Sequence, residues 1–397
     1  MEQRAMSRAA PHVQTEAERL AWYRSMRDTN PVSHDPGSGA WSVFRYQDVA
    51  TLLADHRTFS SDLREVMPKA SDLVKGNILR MDPPRHHRLR SLVSKAFTPT
   101  TIAHMEGRVA ELTEELLDET AGRPQIELVS DLSYPLPVIV IAEMLGVPAE
   151  DRPKFREWAD ALLTRDSSDP FDTAQLEAVK VQLNHFYRYL REHVSQRRVQ
   201  PRRDLLTDLV AAEIDGERLA DAEIVGFATV LLLAGHITTT ALLGNAIRCL
   251  DEHSEAQAAL RADQAAIPLA IEEVLRYRSP FALLARATTV EARLGDQVIP
   301  PRQLVMAWIL SANHDERQFE NPDDFVMDRQ PNAHVGFGKG IHFCIGAPLA
   351  RLEARVALGV LLRRYSHLRV DPAYRLEGYA NPGFNSTRTL HLLVEPA

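Results

Sequence analysis

Phe337-Gly-Lys-Gly-Ile-His-Phe-Cys344-Ile-Gly-Ala-Pro-Leu-Ala-Arg351 contains one of the two cysteines in the chain. Gly338 and Gly340 allow a tight backbone bend ahead of Cys344, and Gly346 lets a bulky group approach after it. Pro348 suits the first turn of a helix, and Leu349, Leu352, Val356 and Val360 continue at helical spacing. Cys344 is therefore expected just before a helix N-terminus. Backbone N–H groups and the positive end of the helix dipole favour a thiolate there, and a thiolate can ligate iron. The plainer reading is a small buried hydrophobe, as a lone cysteine most often is.

The chain has 397 residues, 45% hydrophobic and 25% charged, which is ordinary globular composition. A formal net charge of −8 argues against nucleic acid as the main partner. Cys249 and Cys344 are too few for a disulfide framework and fit a reducing cytosol. Met1–Arg8 carries no apolar run of signal or anchor type, and Ile224–Gly235 is too short a stretch to span a bilayer. A soluble, cytoplasmic, monomeric protein is expected, with no membrane partner.

Working outward from the cysteine, the apolar segment Ala222–Leu250 predicts the dominant helix. It is nearly uncharged and about 40 Å long, so it belongs in the centre of the molecule. Within it, Ala234-Gly235-His236-Ile237-Thr238-Thr239-Thr240 suggests a local opening of the hydrogen-bond ladder. Alternatively, the threonines simply bond back to the preceding turn. Glu273 and Arg276 are three apart on another helix and can pair, most often as a modest surface bridge. His86 and Arg90 are four apart, a cationic pair suited to an anion or to a solvated basic face.

Elsewhere, Trp41–Tyr46 alternates like a strand, and Asp48 reads as the N-cap of a helix over Asp48–Ala54. Residues 1–35 read as a surface segment and 59–81 as a functional loop. Met105–Leu117, Val138–Leu145, Phe155–Leu163 and Leu176–Val194 read as helices, with a polar loop at Asp166–Pro170. Gly295-Asp296 marks a hairpin, and Thr389–Val394 a closing strand.

The pattern Phe-x-x-Gly-x-His-x-Cys-x-Gly-x-x-Leu-Ala at Phe337–Ala350 closely resembles the haem-thiolate loop of the cytochrome P450 family. Ala234–Thr239 resembles the family's oxygen-binding signature, and Glu273-x-x-Arg276 its Glu-x-x-Arg hallmark. Asp82–Pro99 is similar to its propionate-binding helix. The four motifs follow in the family's order, and the likeness runs from about residue 40 to the end.

This resemblance implies one mainly α-helical domain over 1–397 with minor β-sheet, holding haem b between the long central helix and the cysteine loop. It implies Cys344 as iron ligand and Phe337, Gly338 and Gly346 as the haem-binding loop. His86, Arg90, Arg286 and His342 would bind the propionates. Ala234, Gly235 and Thr238 would serve the oxygen side, and Arg329 would complete a structural lock with Glu273 and Arg276. Ile78, Leu79, Leu233, Ile237, Phe281, Leu283 and Leu284 are expected to face the substrate.

The implied reaction is monooxygenation, either hydroxylation or epoxidation, of a small hydrophobic molecule such as a macrolide or other polyketide. Electrons would come from a ferredoxin and its reductase. Arg85, His87, Arg88 and Lys95 would add to a basic docking surface. One departure stands out: Ile237 occupies the position of the family's proton-relaying acid. A peroxide-driven enzyme, or a catalytically silent module that recruits partners, is the alternative.

Overall fold

The computed structural model describes residues 15–67, 76–94, 97–163, 173–214, 216–379 and 383–397. The central helix, Asp221–Glu252, runs without interruption for 32 residues. It is nearly all apolar from Ile224 to Leu250, so neighbours surround it rather than flank one face. Among the described residues it alone has the length and hydropathy to cross a bilayer, but 72% of its most apolar window is buried inside the protein. It is a core element.

The helices Pro135–Met144, Thr173–Val199, Ile267–Tyr277 and Ala347–Arg364 pack around it. Three of these helices carry proline in the first turn, Pro135, Pro268 and Pro348, where the missing N–H is not needed. Their buried side chains join one continuous core with those of the central helix.

The β structure is smaller and stands to one side. A five-stranded sheet runs in the order Val32–Asp35, Ala40–Val43, Leu304–Ala307, Leu284–Thr288, Phe59–Ser60. Leu304–Ala307 pairs in parallel with Ala40–Val43, and Val305 faces both Trp41 and Arg286. This register carries Arg286 inward. Tyr365–Val370, His391–Pro396 and Gln125–Glu127 form a second sheet, which includes the expected closing strand. The Gly295-Asp296 hairpin also forms, with Leu294 opposite Gln297.

Three local expectations need correction. Within the expected surface segment 1–35, Glu16–Thr29 is a helix that buries Tyr23 and Arg27, each 1% exposed. The cause is an aromatic cluster that closes on Trp308: Trp22 meets that ring edge-on at 5.1 Å, and Phe44 stacks on it at 5.5 Å. Asp48 is not an N-cap, because the helix begins at Tyr46. Its first amide is satisfied from across the chain, by Asp315 Oδ2 at 2.8 Å. The ladder around Thr238 is not opened. Thr238 and Thr239 donate to the carbonyls of Ala234 and Gly235 at 2.7 and 2.9 Å, the back-bonding alternative. Residues 1–14, Asp166–Pro170 and Lys95 lie outside the described residues.

Candidate active site

The cysteine loop is built by its backbone. Gly338 and Gly340 have φ of 73° and 70°, the left-handed region that glycine enters without strain. A Cβ on Gly340 would stand 2.8 Å from Ala54 Cα, so the loop also presses on a neighbouring helix. The bend lets Cys344 N–H donate to the Phe337 carbonyl at 2.9 Å. The helix Ala347–Arg364 follows, with Pro348 in its first turn.

Burial raises the Cys344 thiol above its usual range. The Gly346 and Ala347 N–H groups and the charges of Arg90 and Arg351 pull the other way. The helix end therefore acts as expected but does not by itself deliver a thiolate. A bound cation would supply the remainder.

The expected lock is present, with Glu273 and Arg276 fully buried and the Arg329 side chain 8% exposed. Arg276 uses all five of its N–H groups: two on Glu273 at 2.7 and 2.8 Å, and three on the Asn313, Pro322 and Asp324 carbonyls. Arg329 Nε donates to the same carboxylate at 3.1 Å, as do Asn332 and the Val326 amide. A second pairing was not foreseen. Arg351, from the helix after Cys344, grips Glu272 at 2.6 and 2.8 Å and lies over the Phe337 ring at 4.6 Å. His334 reaches the same carboxylate at 3.1 Å. Burial would raise the Glu272 pKa, but the hydrogen bonds and charges of Arg351 and His334 win and bring it to about 2.

Cys344 opens onto a cavity of about 1740 Å³, above the usual range of about 300–1,000 Å³ for ligand pockets. His86, Arg90, Arg286 and His342 all line it. The two imidazoles sit 4.2 Å apart, centre to centre, and neither Nε2 has a hydrogen-bond partner. Burial, then the charge of Arg90, lowers the His86 pKa to about 4. Burial, then the charges of His86, Arg286 and Arg90, lowers that of His342 to about 3. Arg286 is 8% exposed, donates to the Ala285 carbonyl at 2.8 Å, and is brought to about 10, chiefly by burial. Arg90 bonds the Phe343 carbonyl at 2.7 Å, next to the cysteine.

Such a set of buried or half-buried, under-partnered cationic and imidazole groups is suited to an anion. Among the described residues, no three His, Cys, Asp or Glu side chains converge to hold a metal. One cysteine, an apolar slot and an anion-binding edge are what an iron porphyrin carrying carboxylates needs. The residues present fit haem b.

Of the oxygen-side residues, Ala234, Gly235, Thr238 and also Thr239 line the cavity. Ile78, Leu79, Phe281, Leu283 and Leu284 line it as expected. Leu233 and Ile237 do not. The lining residues Leu231, Ala234, Gly235, Thr238 and Leu242 follow one helical face, and at about 100° per residue Leu233 and Ile237 turn off it. Arg85 and Arg88 face Glu217 and Glu223, at 3.0 to 3.8 Å. Glu353 was missed. It is a carboxyl only 1% exposed on the cavity wall, and its sequence signal was an acid in the apolar phase of Leu349 and Val356.

The sequence profile of the family described as Cytochrome P450 matches residues 36–377. The chain is 45% identical over 363 residues to the erythromycin C-12 hydroxylase of Saccharopolyspora erythraea, covering 91% of this chain and 90% of that one. It is 41% identical over 374 residues to the cyclomarin C epoxidase CymV of Salinispora arenicola, covering 94% of each. Among solved structures, open cytochrome P450 EryK from S. erythraea superposes with a TM-score of 0.91 at 43% identity, over 98% of both chains. HmtT, involved in himastatin biosynthesis, superposes with a TM-score of 0.87 at 49% identity, over 94% of this chain and 96% of that one. With the fold, the cysteine loop and the anion-binding edge in place, this chain belongs to the cytochrome P450 family and is a haem b monooxygenase.

Proposed function

We propose that Cys344 is the iron ligand of a monooxygenase that hydroxylates or epoxidises a hydrophobic secondary metabolite such as a macrolide or other polyketide. The carrying observation is the meeting, on one cavity, of Cys344 at a helix N-terminus with His86, Arg90, Arg286 and His342. When bound, haem supplies the activation of dioxygen, and a thiolate ligand donates the electron density that favours O–O cleavage.

The chain's own residues do the rest. The amides of Gly346 and Ala347 hold negative charge on the sulfur. His86, Arg90, Arg286 and His342 fix the carboxylate edge of the cofactor and set its rotation in the slot. Phe337, Gly338 and Gly346 leave space for its flat face. The Glu273–Arg276–Arg329 lock keeps that loop in register and takes no part in the chemistry. Ile78, Phe281, Leu283 and Leu284 exclude water and hold apolar substrate, while Ala234 and Gly235 leave room on the oxygen side. The Thr238 hydroxyl gives its hydrogen to the Ala234 carbonyl and presents its lone pairs to the cavity. It can accept a proton there and pass one on.

The relatives named as an erythromycin C-12 hydroxylase and a cyclomarin C epoxidase support this substrate class. A ferredoxin and its reductase are the proposed electron donors, to a single-domain, monomeric cytoplasmic enzyme. Spectral titration with macrolides and other polyketides tests the proposal. Displacement of distal water by members of that panel, then product formation with ferredoxin, reductase and NADPH, is expected. A response to small terpenoids or fatty acids alone would overturn the substrate class, and product from peroxide alone would overturn the electron route.

A further inference from the structure

We infer that the substrate carries an acidic group, a carboxylate or a phosphate monoester, which Arg188 and Arg191 hold at the mouth of the cavity. This rests on the proposed reading of the cavity as the substrate site, and narrows it. The helix Thr173–Val199 brings Lys180, Leu183, Asn184, Tyr187, Arg188 and Arg191 to the cavity wall. Spacings of three and four residues put them on a single helical face. Leu183 is buried and Tyr187 half-buried, whereas Asn184, Arg188 and Arg191 are exposed. The face therefore changes from apolar to cationic as it approaches solvent.

The two arginines differ from others on their own helix. Arg197 pairs with Asp204 and Arg198 with Asp221, each at 2.6 Å, and neither lines the cavity. Among the described residues, Arg188 and Arg191 form no ion pair. Glu192 stands four residues from Arg188, a spacing that allows a bridge, but none forms. Among the described residues the only acid on the cavity wall is Glu353, 1% exposed on the helix after Cys344, where burial favours its neutral form. The chain as a whole has 54 acidic and 46 basic residues, so an unanswered cationic pair on this wall is no by-product of a basic surface.

The carboxylates of the cofactor do not supply the missing charge, because His86, Arg90, Arg286 and His342, on other elements, already answer them. A second anion is needed. Guanidinium groups three residues apart on a helix are neighbours, and each can offer a two-pronged donor to one carboxylate or phosphate. A cavity mouth of one sign also draws in an anion from solution. The acid end of the substrate then stays at the mouth, and its apolar end passes Leu183 and Tyr187 toward Ala234 and Cys344. Oxidation falls at a set distance from the acid.

The test is spectral titration of the holoenzyme with matched ligands. One set is a macrolactone hemisuccinate, the corresponding monophosphate, and the methyl ester of the hemisuccinate as neutral twin. The other set is dodecanoate and methyl dodecanoate. An acid should bind roughly tenfold tighter than its neutral twin at low salt. The gap should close at about 0.5 M salt, because exposed charges are screened. Whichever macrolactone acid binds tighter names the group. With Arg188→Gln and Arg191→Gln together, acid and twin should bind alike, and neither exposed position holds an ion pair that the fold would lose. Arg198→Gln, off the cavity, should keep the preference. A preference that survives the double variant overturns the inference. Macrolactones that bind with equal affinity, with no preference in the dodecanoate set, overturn it and leave the macrolide reading intact. An acid preference in the dodecanoate set, lost in the double variant, with no response to macrolactones, supports it and overturns that reading.

Discussion

Around Cys344 the backbone is held by charge, with Glu273 between Arg276 and Arg329, and Glu272 between Arg351 and His334. On the wall formed by Leu231–Leu242, the central helix faces the cavity with apolar groups and with two threonine hydroxyls turned back onto helix carbonyls. The first region is over-determined: several buried polar groups each require one geometry, and losing any one leaves the others unsatisfied. The second is set by shape alone, so its side chains can change without exposing a buried charge. The cysteine side therefore keeps the chemistry constant, while the other side is free to set what is oxidised.

Breaking the charged side should cost most. Glu273→Gln leaves Arg276 and Arg329 buried against a neutral group, and a loss of about 3–5 kcal/mol in chemical denaturation is expected. A loss under about 1 kcal/mol would mean that the lock is ornamental. Gly340→Ala is next. A φ of 70° and a Cβ 2.8 Å from Ala54 Cα make it strained and crowded, at about 1–3 kcal/mol. Weaker haem retention should accompany it.

The apolar side should answer through substrate instead. Leu231→Ala, on the cavity face, should weaken substrate binding by about 1–2 kcal/mol in a spectral titration. Leu233→Ala, off that face, should leave binding unchanged, and equal effects would mean that both side chains meet the substrate.

The smallest effect concerns acid. The Glu272 pKa is lowered in the folded protein to about 2, so its stabilisation is complete above the ordinary carboxylate value near 4.5 and is lost as pH falls toward 2. Arg351 is 39% exposed, so solvent screens the pair and the effect should be about 1 kcal/mol or less. Glu272→Gln should flatten the stability curve between pH 4.5 and 2.

What could be read from the residues follows the same division. Glycines at 338 and 340 and the Glu273–Arg276 spacing are local marks of a constrained backbone and a pair on one helix face, and both were legible. The central helix was legible because it is apolar on all sides. The partners were not when they met from afar: Arg351 lies 79 residues from Glu272, and Asp315 lies 269 from the Tyr46 amide that it caps. Chain folding alone brings these together. Leu233 and Ile237 were misassigned because a helix apolar on every face has no periodicity to say which face meets the cavity. Glu353 was passed over because one acid in an apolar phase looks ordinary until its burial and its lack of a counter-charge are known.

The most direct test is the absorption spectrum of the reduced protein with carbon monoxide, compared between wild type and Cys344→Ser. Wild type should show the red-shifted Soret band that gives the family its name, and the serine variant should lose it while keeping the fold by circular dichroism. A wild-type band of the histidine-ligated type under native conditions, or a red-shifted band that survives Cys344→Ser, would contradict the assignment of Cys344.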